Sequence, residues 1–258
     1  MFWYTKKMIG AEILKLRKNK GQVITASLLT VGVVVIYFAV LEILHLTNPA
    51  SHGPAGGSSN FKNAISLLLF IGSAASIIIG ARAGTIDESS GVFRDLVSSG
   101  RSRMVIYGAR IAGAALFFLP FVLLALLVAW FATSVLHGTL PTPTASGYLN
   151  NFAVTIGVTV FNLIMALGIA SLTLSRSITV GILLVWILFA QRLIVSITYL
   201  GGARKAFPLV AEHSLNLSGR GPLNAPITEG TLAAVAVLVI WSVVSLGAGA
   251  LRTIKMDA

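Results

Sequence analysis

The chain has 258 residues, 56% of them hydrophobic and 10% charged, and its mean hydropathy of +0.89 is too apolar for a soluble domain of this size. With so much of the chain in hydrophobic runs no separate soluble domain of catalytic size fits, and the fold class is an all-α integral membrane protein built as one transmembrane domain over residues 1–258. A net charge of +11 reads here as basic loops beside a bilayer and not as a nucleic-acid surface, and the absence of cysteine removes disulfides and thiolate chemistry.

Residues 2–20 precede any span. Phe2, Ile9, Ile13 and Leu16 fall on one face and Lys7, Lys15 and Lys18 on the other, which predicts an N-terminal interfacial amphipathic helix with its basic side toward anionic headgroups. A basic flank without a helix of its own is the plainer alternative. Six spans follow, at 22–46, 63–81, 104–136, 151–174, 178–200 and 231–251. Each meets the roughly 20 residues that a hydrocarbon core of about 30 Å requires. Residues 47–61, rich in Pro, Gly and Ser, are a surface connection. Pro120 near the middle of the long third run predicts a kinked or tilted helix. The tight turn at Ser175, Arg176 and Ser177 predicts that spans four and five are antiparallel neighbours. Residues 201–229 form the external loop, and its segment 206–217 (AFPLVAEHSLNL) is apolar enough to fold back onto the membrane surface or dip into it, re-entrant, if protein or water satisfies its backbone.

Between spans two and three lies a polar interruption, residues 87–110. Val92, Phe93, Leu96 and Val97 recur at i, i+1, i+4 and i+5, one helix face, with Arg94, Asp95 and Ser98 opposite. Asp87, Ser89 or Ser90 can cap its start, Gly100 can end it and Ser102 can cap the next helix. The reading is a short amphipathic helix over 87–100, outside the bilayer, with a face made to be gripped. Fourteen of the nineteen Lys and Arg residues lie on the side of this stretch and of both termini, four on the other, and Arg192 lies within a span. By the positive-inside rule the termini and the stretch are cytoplasmic.

Glu42 and His45 make one E-x-x-H pair in the first span, without the second such pair that a di-metal bundle uses; the other histidines lie in loops, so no metal site is assigned. Glu42 is read as a carboxylate at the water boundary or paired with Arg192 or Lys62. Arg192 either belongs to a solute pathway or snorkels to the near interface. Thr155, Thr159, Asn162, Ala166 and Ala170 share one small and polar face of span four, which suits helix packing more often than solute binding. Gly80 and Gly84 form a G-x-x-x-G, and Asn216-Leu217-Ser218 matches a glycosylation sequon. There is no G-x-x-x-x-G-K-[ST], so the chain has no P-loop of its own, and no Ser/His/Asp spacing suggests catalysis.

The run Glu88, Gly91, Arg94, Leu96, Ser99, Gly100, Ser102, Arg103 and Arg110 resembles the cytoplasmic segment of ABC-2 type permeases, the membrane subunits of ATP-driven exporters. Glu12-Ile-Leu-Lys15-Leu-Arg17-Lys18 is similar to the E-x-x-K-x-R run on the elbow helix of that family. Val92 after the glycine, Arg101 at a usually apolar position and Arg110 in place of lysine are departures. With six spans and the long outer loop, the resemblance covers nearly the whole chain. It implies a non-enzymatic half-transporter that pairs with a second permease subunit, as homodimer or heterodimer, in the cytoplasmic membrane. It further implies that the short helix inserts into a groove on an ABC ATPase subunit, which binds the ATP and Mg²⁺. Val92, Phe93, Leu96 and Val97 would bury against that ATPase, and Glu88, Arg94 and Asp95 would make charged contacts, with Gly91 and Arg103 also part of the coupling segment. The cargo implied is an amphiphilic or hydrophobic solute. The rival reading is an ATP-independent secondary transporter or channel; an intramembrane enzyme would need clustered ionisable residues within the spans.

Overall fold

A computed structural model describes residues 2–215 and 225–255, without the side chains of residues 2–5 and Ser89. The side chain of Phe2, the sequon at Asn216 and Arg220 of the outer loop lie outside the described residues. All regular structure among the described residues is helical. The helices are α1 (Phe2–Lys18), α2 (Lys20–Thr47), α3 (Ser58–Ser89), α4 (Val92–Ser98), α5 (Arg103–Val135), α6 (Ala145–Thr173), α7 (Arg176–Ser196), α8 (Pro208–Leu215) and α9 (Thr231–Lys255). Six of them, α2, α3, α5, α6, α7 and α9, are long and apolar enough to cross a membrane, and the chain is a multi-pass membrane protein.

The bundle is organised around α3. Of its most apolar window 72% is buried, against 22% for α2 and for α9, so α3 forms the core while the other two present Ile36, Ile43, Ile240 and Val243 outward. Its principal partner is α6. Gly80 and Gly84 make that approach possible: a Cβ at Gly80 would collide with the Leu163 carbonyl oxygen, and one at Gly84 would stand 2.7 Å from the Ala170 Cβ and the Leu167 carbonyl oxygen. The small face of α6 meets this groove, with Thr155, Thr159, Asn162, Ala166 and Ala170 all buried. Close backbone approach between small residues is how transmembrane helices gain dispersion energy without a hydrophobic driving force.

Several boundaries differ from the hydropathy reading. The second hydrophobic helix does not stop at 81 but continues to Ser89, because Asp87 and Glu88 find partners within the fold. The fifth ends at Ser196, not 200, and the chain from Thr198 to Ala206 turns back as 3₁₀ structure broken at Gly201. Two spans carry π-turns, Leu28–Gly32 in α2 and Trp186–Ala190 in α7. α5 runs through Pro120 as one helix of 33 residues. Leu174, with φ of 52°, ends α6; the Ser175 side chain caps α7, which packs on α3 as well as on α6.

One end of the bundle gathers α1, α4 and the end of α9, where Arg103 Nη1 donates to the Ile254 carbonyl at 2.7 Å. At the other end Gly56 and Ser58 donate to the Leu136 and Pro141 carbonyls, closing the loops over the helix ends. These are called the terminal face and the loop face below.

Candidate functional site

Five ionisable side chains from three helices meet at the terminal face. Arg110 of α5 has no exposed surface; its Nε donates to Asp87 Oδ2 at 2.9 Å and its Nη1 to Glu88 Oε1 at 2.6 Å, both at the end of α3. Lys15 of α1 reaches the other Asp87 oxygen at 2.5 Å and Glu12 Oε1 at 2.6 Å. Gly113 of α5 lets α1 lie close, since a Cβ there would overlap the Cβ of Glu12. Three carboxyls thus face two cations. Burial first, and then the Asp87 charge, push the Glu12 carboxyl above its ordinary value, and Lys15 pulls it back part of the way.

The short helix α4 is built onto this cluster. Gly91 precedes it at φ of 75° and Gly100 follows at φ of 80°, left-handed turns that let seven helical residues sit between two long spans. Phe93 is 3% exposed and lies with its ring 5.3 Å from the Arg110 guanidinium. This corrects the expected division of labour. Phe93, placed by its spacing on a partner-binding face, is buried in the chain's own fold, and Glu88 is committed to Arg110. Arg103 is likewise turned to the end of α9. The surface that α4 leaves open consists of Val92, Arg94, Asp95 and Ser98, with Leu96 and Val97 half-buried.

On the N-terminal helix one lysine departs from its sequence reading. Glu12 and Leu16 are buried, Ile9 and Ile13 are half-buried, and Lys15 turns inward to Asp87 where a headgroup-facing position was expected. Arg17 and Lys18 remain exposed. An ion pair between α1 and α3, 72 residues apart, outweighs the exposed alternative because Asp87 is otherwise sealed from water.

A second polar group lies inside the bundle. Asn162, midway along α6, directs Nδ2 to Ser73 Oγ of α3 at 3.2 Å, to the Val158 carbonyl at 3.1 Å and to Glu212 Oε1 at 3.1 Å. Glu212 is 5% exposed and belongs to α8. That helix starts below the loop face: the Ala206 carbonyl just before it accepts from Trp241 Nε1 at 2.9 Å, and Trp241 lies about 15 Å along α9 from its start. Gln191 Oε1 accepts from the Leu209 amide at 2.8 Å, satisfying a first-turn donor, and Ser214 Oγ accepts from the Glu229 amide at 2.9 Å. The segment 206–215 is therefore held within the bundle, its backbone donors answered by protein.

No family model and no curated protein matches the chain.

Of the residues singled out for a solute pathway, Thr155 and Thr159 are packed between helices, Asn162 joins Ser73 and Glu212, and Arg192 stands half-buried with its guanidinium 5.8 Å from the Phe70 ring of α3. Arg192 Nε and Nη2 have no hydrogen-bond partner among the described residues, and Glu42 forms no ion pair with Arg192 or Lys62. His45 donates from its ring to the His52 carbonyl at 2.7 Å, a loop contact. Asp87, Ser73, Gln191 and Glu212 were not singled out for these contacts. An acid inside the apolar segment 206–217 was the available signal for Glu212.

Proposed function

We propose that the chain is the permease subunit of an ABC-2 type exporter, placed in the cytoplasmic membrane with both termini cytoplasmic and paired with a second permease subunit. ATP and Mg²⁺ belong to a separate ATPase. The observation that carries this reading is the seating of α4: a short helix outside the spans, anchored through Phe93 and Arg110 to the ends of two long spans and, through Asp87 and Lys15, to the N-terminal helix. A displacement applied to the open surface of α4 passes to α3, α5 and α1 together. This is the mechanical requirement for ATP-driven switching between inward-open and outward-open arrangements, in which a ligand biases a two-state element.

The reading assigns the ATPase contact to Val92, Arg94 and Asp95, with Leu96 and Val97 at its edge. Co-expressed with its ATPase, the protein is expected to co-purify as a complex. Val92→Asp and Arg94→Glu, both at exposed positions, are expected to release the ATPase while membrane insertion and thermal unfolding stay as in the parent. Retention of the ATPase by both variants would overturn the assignment. Phe93→Asp is unsuited to this test, because it breaks the seat of α4 as well as its surface.

A further inference from the structure

We infer that Glu212 is the recognition point for a positively charged group on the transported solute, so that the cargo is a cationic amphiphile. The inference rests on the reading of the chain as a permease and adds the sign of the cargo's charge.

Glu212 differs from the other described acids. Glu12, Asp87 and Glu88 are engaged with Lys15 and Arg110 at the terminal face, Asp95 is exposed on α4, and Glu42 and Glu229 lie toward the loop face. Glu212 alone among them is buried at the level of the middle of α3 and α6. Among the described residues no ion pair includes it, and its one side-chain polar partner is the Asn162 amide. Asn162, 1% exposed, in turn leaves its own Oδ1 without a partner. A carboxyl and an amide thus meet inside the bundle, and the amide oxygen has its acceptor capacity unused. Buried ionisable groups within membrane proteins are costly and mark ligand pathways when no internal counter-charge answers them.

The element that carries Glu212 suits the role. α8 is not one of the spans; it is a returned segment, held at its start by Gln191 and near its end by Ser214, the kind of discontinuous helix on which membrane transporters build their sites. Beside it, between α6 and α9, runs an apolar groove of about 410 Å³. Val158 and Phe161, four residues and one before Asn162 on the same helix, line it, and so does Leu215, three residues beyond Glu212 on α8. Glu212 itself does not line the groove, and the inference requires α8 to shift against α6 so that the two join. A hydrophobic body in the groove with a cation at the carboxyl is the arrangement that this neighbourhood recognises.

The test uses two ions that share one body and differ in sign, tetraphenylphosphonium and tetraphenylborate, binding to the full chain in lipid nanodiscs without the ATPase, with partition into empty nanodiscs subtracted. The cation is expected to bind about tenfold more tightly or better, and Glu212→Gln, which keeps an acceptor for Asn162, is expected to abolish that preference. Equal binding of the two ions by the parent protein overturns the inference, as does a folded Glu212→Gln variant that keeps the preference. The parent comparison decides by itself if the variant does not fold. Because ATPase co-purification requires no ligand, failure here leaves the permease reading standing on its own test.

Discussion

Arg110 shows how much a single side chain can be asked to hold. It is fully buried at the end of a span, with two carboxylates on its fork and an aromatic ring beneath it. Removing it leaves Asp87 with Lys15 and takes from Glu88 the cation it meets at 2.6 Å. Breaking a buried pair from one side costs about 3–5 kcal/mol, so Arg110→Met is expected to lower stability by that order in detergent unfolding. Arg110→Lys should recover part of the loss and no more, because one ammonium lacks the planar fork that reaches both carboxylates. Parent-like unfolding of Arg110→Met would mean that the cluster does not hold the terminal face together.

At the level of elements, two glycine contacts decide the packing. Gly84 lies against Ala170 and Leu167 with no space for a side chain, whereas nothing stands within 4 Å of a Cβ placed on Gly108. Gly84→Val should therefore destabilise by about 1–3 kcal/mol through overpacking between α3 and α6. Gly108→Ala, in the helix α5, should be neutral or stabilising by up to about 1 kcal/mol. Thermal unfolding of the two variants side by side checks the pair, and an equal effect would remove the argument for close α3–α6 approach. The short helix α4 depends on backbone conformation instead. Gly91 has open space around it but a left-handed φ of 75°, so Gly91→Ala should cost about 1–2 kcal/mol of local strain. Amide exchange across Val92–Ser98 should report it as faster opening of that helix while the spans keep their protection.

For the whole molecule, the six spans put α1, α4 and the end of α9 on one face, and the distribution of Lys and Arg predicts that this face is cytoplasmic. The chain has no native cysteine, so single introduced thiols report directly. Ser51→Cys should react with a membrane-impermeant maleimide on intact cells, and Ser98→Cys after permeabilisation alone; the reverse pattern would invert the topology. Amino-acid sequence by itself determined the number of spans and their order, because partition into lipid depends on apolar content summed over about 20 neighbouring residues. It also marked the stretch around Val92–Ser98 and the apolar segment 206–217, whose compositions break from their surroundings. Which side chains those segments commit was decided by tertiary structure. Arg110 meets Asp87 across 23 residues, Glu212 meets Asn162 across 50, and Lys15 meets Asp87 across 72. Periodicity placed Phe93 on an open face and Lys15 toward headgroups, yet both turn inward. The physical reason is that hydropathy is a property of neighbours along the chain, whereas a buried charge is settled by whichever partner the fold brings within about 3 Å of it.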